Sequence, residues 1–216
     1  MDSRRVLRRA VFLDRDGTLI HDPGYLSEPG HVRVLPGVGD ALRSLSAAGF
    51  VLVIVTNQSG IARGRYTVER YESVAARVVE DLRAEGAEIS ASYYCPYHPE
   101  GTVKPFDADH EDRKPGPGMW HRAARDLGID LAASYSIGDG ERDVVAGRRA
   151  GTTAILLAGG RDKWPLPVGG PFDPHFVARD LREAAIWILR REGAPLPRRP
   201  GEPLAPEVPA RTRARA

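Results

Sequence analysis

A chain of 216 residues, 42% hydrophobic and 28% charged, can bury one sizeable core and reads as a globular domain, which excludes a disordered or fibrous chain. The net charge of +2 is unevenly spread: residues 1–9 carry +3 and residues 190–216 carry +4. The body from 10 to 189 therefore stands at −5, which argues against a nucleic-acid-binding surface.

Residues 1–9 read as a basic arm. The first apolar run, Ala10 to Leu13, reads as a buried strand and leads into Asp14, Arg15, Asp16, Gly17 and Thr18. Alternate side chains of an extended strand face the same way, so Asp14 and Asp16 are expected to converge while Arg15 points elsewhere. Two carboxylates aimed at one volume are unfavourable unless a cation neutralises them, and a hard divalent ion with oxygen ligands suits the pair. Gly17 permits a sharp turn that brings backbone N–H groups toward an anion. Because the apolar stretch breaks at Asp14, no secretory hydrophobic region forms. With Cys95 as the single cysteine, no intramolecular disulfide is available and a cytoplasmic location is expected.

Residues 20–36 hold three Pro and two Gly without helical period and are expected to form a flap beside the aspartates. Residues 38–48 have helical spacing, and FVLVIV at 50–55 reads as a fully buried strand of a parallel sheet, ending in the polar turn TNQSG. A long helix is expected from Thr67, its N-cap, to about Ala84, followed by a third strand over 90–94. Residues 95–118 are too rich in Pro, Gly and charge for regular structure and read as an inserted loop. A helix over 119–127, a strand over 135–139, a short helix, a strand at TTAILL and a final amphipathic helix near 180–191 complete the pattern. The Pro- and Arg-rich segment 192–216 cannot bury enough apolar surface to order itself. No run approaches the roughly 20 apolar residues of a spanning helix. Alternating strands and helices predict an α/β, doubly wound parallel sheet with helices on both faces, in one domain over 10–191.

In such sheets ligands bind beyond the carboxyl ends of the strands. Asp14 and Asp16 follow strand one there, Thr56 and Asn57 strand two, and Asp139 strand four. Three acids at one edge call for a metal, with Mg²⁺ the natural choice for phosphate chemistry. Asp14 then suits a nucleophile toward phosphorus, and Asp16 the acid that protonates the leaving alkoxide and later the base for water. Thr56 supplies a hydroxyl and Lys114 a full positive charge for the phosphoryl oxygens.

The stretches DRDGT, TNQSGIARG, RKPGPGM and GDGERD, in this order, resemble the four motifs of haloacid dehalogenase-type phosphatases. The closer likeness, carried by Arg15, the Asp22-Pro23-Gly24-Tyr25 flap and the CPYHPEG loop, is to the heptose 1,7-bisphosphate and histidinol-phosphate phosphatase families. The resemblance implies a phosphoaspartate on Asp14 and Mg²⁺ on Asp14, Asp139 and the Asp16 carbonyl. It also implies substrate contacts from Asp22 to Tyr25, from Asn57, Gln58 and Ser59, and from Arg113. Two positions depart from the family. Where it commonly folds its insertion around Zn²⁺, this chain has Cys95, Tyr97, His110 and Asp112, although Cys95, His98, His110 and Asp112 offer a mixed set. Gly140 stands where the heptose enzymes usually carry a substrate-reaching lysine. A monomer acting on a small sugar phosphate, away from membranes and nucleic acid, is expected, with heptose bisphosphate as substrate. The alternatives are histidinol phosphate, a polynucleotide 3′-phosphate, or a catalytically silent sugar-phosphate sensor.

Overall fold

The computed structural model describes residues 7–158 and 170–196. Six strands form one parallel sheet: β1 (Ala10–Leu13), β2 (Val51–Asn57), β3 (Ala91–Cys95), β4 (Tyr135–Gly138), β5 (Thr153–Leu157) and β6 (Phe176–Ala178). Their spatial order is β3-β2-β1-β4-β5-β6, with every pairing parallel. The chain winds outward from β1 in one direction, returns to β4 and winds the other way. The crevice beyond the carboxyl ends of β1 and β4 is therefore the switch point where such sheets bind ligands. The sequence pattern contained five of these strands. The sixth is a three-residue edge strand after Asp173 and Pro174, too short to show a period.

The helices are α1 (Val38–Ala47), α2 (Ser59–Ala62), α3 (Val68–Ala84), α4 (Gly118–Leu127), α5 (Glu141–Arg149) and α6 (Leu181–Arg191). Thr67 caps α3 by accepting from the Arg70 N–H at 3.3 Å. The one-turn α2 begins where the sequence showed only a polar turn. Strand alternation divides the core in two. Val11 and Leu13 of β1 pack with Leu52 and Ile54 of β2 under α1, α3 and α6. Ala10 and Phe12 pack with Val53 and Val55 under α4 and α5, where Trp120 fills the centre. Ile188 and Leu189 of α6 are fully buried. At about 1.5–3 kcal/mol per buried side chain, packing outweighs the marginal propensity of an 11-residue helix. Among the described residues no helix is long and apolar enough to cross a membrane.

Residues 96–117, between β3 and α4, contain no helix or strand. They are held instead by Tyr97, whose ring stacks on His110 (4.4 Å) and meets Phe106 edge-on (5.5 Å). At the ends of the domain, the Arg8 N–H donates to the Gly128 carbonyl at 2.8 Å, and Glu192 accepts from Arg9 and from the Tyr135 hydroxyl. These contacts tie Arg8, Arg9 and Glu192 to the fold. The remainder of the expected basic arm (1–6) and most of the tail (197–216) lie outside the described residues.

Candidate active site

The site is assembled around one buried ammonium. Lys114 is 3% exposed, and its Nζ lies 2.7 Å from Asp14 Oδ1, 2.5 Å from Asp143 Oδ1 and 3.0 Å from the Val55 carbonyl. Its three donors are thereby matched by the end of β1, the end of β2 and the first turn of α5. Burial opposes the charge, but the Asp14 and Asp143 carboxylates outweigh it and hold the Lys114 pKa up at about 12. The Asn57 amide fixes the segment that delivers this lysine. Asn57 Oδ1 accepts from the Lys114 N–H at 3.0 Å, and Nδ2 donates to the Lys114 carbonyl at 3.1 Å.

Asp14, Asp139 and Asp143 each offer a carboxylate oxygen, all within 4.8 Å of one another. At an effective dielectric constant near 20, two unit charges at that distance repel by about 3.5 kcal/mol. Burial raises the Asp143 pKa, Lys114 opposes the rise and Asp14 adds to it. Three carboxylates against one ammonium leave a local charge of −2, which a divalent cation with oxygen ligands neutralises. The pocket is shaped for that arrangement: a Cβ on Gly17, at φ +80°, would lie 2.2 Å from Asp139 Oδ2, and one on Gly138 would lie 2.3 Å from the Asp143 Cβ. Asp143 is the residue that sequence reasoning missed. Its placement four residues after Asp139 was legible, but it reads equally as an acid serving a helix N-terminus. It does serve there too, since Oδ2 accepts from the Gly140 N–H at 3.0 Å.

Asp16 is held apart from the carboxylate cluster. The expected alternation, with Arg15 pointing away, ends with β1 at Leu13. Past that point the Arg15 side chain, 2% exposed, turns back and donates to both Asp16 oxygens at 2.9 Å. Burial raises the Asp16 pKa, the Arg15 guanidinium lowers it and Asp14 raises it, with a net upward shift. Gln58 sits behind this pair: Nε2 donates to Asp16 Oδ2 and to Thr56 Oγ1, each at 2.9 Å, while Oε1 accepts from the Tyr66 hydroxyl at 2.7 Å and from Arg15 at 3.3 Å.

These groups line a cleft of about 1210 Å³. Of the expected substrate residues, Asp22, Gly24, Tyr25, Asn57, Gln58 and Ser59 also line it. Asp22 accepts from the Gly24 N–H at 2.8 Å, and Arg65 lies over the Tyr25 ring at 5.6 Å. Pro23 and Arg113 are not among the lining residues. Arg113 donates to the Tyr97 carbonyl at 3.2 Å. The Asn57 and Gln58 amides, expected to meet substrate, hydrogen-bond Lys114 and Asp16 in this structure.

The four residues considered for zinc do not gather. Among the described residues the carboxylate, imidazole and thiol groups in common reach of one ion are those of Asp14, Asp139 and Asp143. Burial pushes the Cys95 thiol up to about 11. His98 accepts from the Glu100 N–H and His110 from the Asp112 N–H, each at 3.0 Å, while Asp112 pairs with Arg122 at 2.8 Å. The insertion is thus held by ring stacking and an ion pair.

Residues 112–184 match the family model described as HAD-hydrolase-like. A D-glycero-beta-D-manno-heptose-1,7-bisphosphate 7-phosphatase of Yersinia pestis is 45% identical over 183 residues, covering 84% of this chain and 96% of that protein. The enzyme of the same name from Escherichia coli K12 is 43% identical, covering 83% and 87%. Among solved structures, a HAD-like phosphatase from Mesorhizobium loti superposes with a TM-score of 0.73 at 36% identity, covering 84% of this chain and 86% of that one. A D,D-heptose 1,7-bisphosphate phosphatase from B. bronchiseptica, complexed with magnesium and phosphate, gives 0.72 at 31% identity, covering 85% and 99%. The acids beyond β1 and β4, the lysine that joins them and this likeness along most of the chain agree: it belongs to the haloacid dehalogenase-like phosphatases, in the group that holds these heptose bisphosphate enzymes.

Proposed function

We propose that the chain hydrolyses the 7-phosphate of D-glycero-D-manno-heptose 1,7-bisphosphate, leaving heptose 1-phosphate and inorganic phosphate. The observation that carries the reaction class is the Lys114 ammonium, 2.7 Å from Asp14 and 2.5 Å from Asp143, across 100 residues of chain. The substrate follows from the relatives at 43–45% identity.

Lys114 engages Asp14 Oδ1, which leaves Oδ2 to attack phosphorus. The P–O bond to the sugar breaks as a phosphoaspartate forms on Asp14, and Asp16, whose pKa burial raises against the pull of Arg15, gives a proton to the leaving alkoxide. Asp16, now ionised and steadied by Arg15 and Gln58, takes a proton from the water that attacks the phosphoaspartate, and phosphate departs with Asp14 restored. Thr56 and Lys114 face the transferring group from the β2 side. Asp14, Asp139, Asp143 and the Asp16 carbonyl would hold a Mg²⁺, which when bound supplies a fixed positive charge to the phosphoryl oxygens.

Phosphate release from both heptose bisphosphate anomers, histidinol phosphate and a 3′-phosphorylated oligonucleotide tests this reading, with Asp14→Asn as the blank. The expected result is Mg²⁺-dependent release, best with the heptose compounds and abolished by the substitution. Activity in Asp14→Asn equal to that of the native chain would remove the nucleophile, and a better rate on either other substrate would replace the sugar.

A further inference from the structure

Four cations line the cleft, and three of them are committed to partners. Arg15 is paired with Asp16, and Lys114 with Asp14 and Asp143. Arg149 donates to the Pro115 carbonyl at 3.1 Å and lies over the Phe172 ring at 5.2 Å. The fourth, Arg142, is exposed at the rim and makes no hydrogen bond or ion pair among the described residues.

Its position is costly in two ways. Arg142 is the second residue of the nine-residue α5, where the aligned peptide dipoles disfavour a cation. It also belongs to a gathering of like charge. Burial lowers the Arg113 pKa, Cys95 and Asp109 raise it, and Arg142 and Arg63 lower it, with a net downward shift. The His98 imidazole is lowered by burial and by Arg113, Arg63 and Arg142 together. Of the nearby negative charge, Glu100 is paired with Arg63 at 2.9 Å, while Glu141, beside Arg142 in the first turn of α5, and Asp22 also line the cleft. The floor of the cleft is different, because there three carboxylates meet a single ammonium. A substrate with one phosphate on that floor and a second anionic group toward the rim would relieve this crowding.

We propose that Arg142 is a specificity residue that grips the second, non-reacting phosphate of the substrate from the rim of the cleft, with Arg113 and Arg63 behind it. The proposal rests on the bisphosphate reading given above. Arg142 takes no part in breaking the P–O bond. Its guanidinium presents paired donors to phosphate oxygens, and the gain appears as tighter binding of a bisphosphate over the matching monophosphate.

The experiment compares heptose 1,7-bisphosphate with heptose 7-phosphate, which differ only in the second phosphate, in the full native chain, Arg142→Gln and Arg142→Lys. The native chain is expected to favour the bisphosphate. In Arg142→Gln the KM for the bisphosphate should rise about 10- to 100-fold, the span of one charge-assisted contact, and the preference should fall by the same factor. Arg142→Lys should recover the larger part, because it restores the charge. A native preference that survives in Arg142→Gln would overturn the proposal and leave the bisphosphate reading standing. An equal loss on both substrates would also overturn it, by making Arg142 a general support of the site. A native chain without any preference would sink the bisphosphate reading itself.

Discussion

Replacing Lys114 by Met tests the centre of the site through stability as well as activity. In the native chain the ammonium, 3% exposed, contacts Asp14 at 2.7 Å and Asp143 at 2.5 Å. Methionine fills most of its volume but leaves three carboxylates within 4.8 Å of one another without a counter-charge. Removing one partner from a buried ion pair costs about 3–5 kcal/mol. For a domain of this length each kcal/mol moves Tm by about 2–4 °C, so a loss of roughly 6–20 °C is expected in EDTA. Adding Mg²⁺ should narrow the gap, because a divalent ion replaces the missing positive charge, and Lys114→Met should therefore gain more from Mg²⁺ than the native chain does. Differential scanning calorimetry of both proteins, with EDTA and with Mg²⁺, reads these shifts directly. In parallel kcat should fall about 10²- to 10³-fold. A Tm in EDTA equal to that of the native chain, or a gain from Mg²⁺ no larger than native, would refute the electrostatic account of the site.

Three further outcomes are expected. The Lys114 pKa is raised on folding from 10.5 to about 12, so its contribution to stability is complete below pH 10.5 and is lost as the pH rises through 12. Tyr66, pushed up to about 12 by burial, loses stability in the same direction, and urea titrations of native and Lys114→Met protein from pH 9 to 12 isolate the lysine as the difference between them. Gly17→Ala forces a Cβ to within 2.2 Å of Asp139 Oδ2 in a left-handed turn, and should lower Tm and raise the Mg²⁺ concentration for half-maximal activity at least tenfold. Gln58→Leu removes an amide donor from Asp16, so the Asp16 carboxyl should titrate at higher pH. Single-turnover kinetics should then show the alkaline limb of phosphoaspartate formation moved upward, with a tenfold or greater loss of rate at neutral pH.

The sequence made the sheet legible where elements are long and apolar. The runs at Ala10–Leu13 and 50–55 read as buried strands, and the acids after the first and the polar turn after the second fall at one sheet edge by topology. Short elements gave no such signal: β6 has three residues and α2 a single turn, so neither period could appear. At the site, residue type and order singled out Asp14, Asp16, Thr56, Lys114 and Asp139, which line one cleft, but the arrangement of their neighbours depends on contacts that sequence spacing does not encode. Arg15 was expected to face away because strand alternation was carried two residues past the end of β1. Asn57 and Gln58 have side chains suited to a ligand and also to the backbone or a carboxylate. Only the tertiary structure shows that they are occupied by Lys114 and Asp16.

The double hydrogen bond between Asn57 and the backbone of Lys114 makes the irregular insertion answerable to the reaction. Between Cys95 and Lys114 the chain is irregular, held by the Tyr97 ring and the Asp112–Arg122 pair, and its span sets where the ammonium arrives. Lengthening or shortening it would withdraw the ammonium from the ends of β1 and β2, and activity would fall together with the stability that Lys114 contributes.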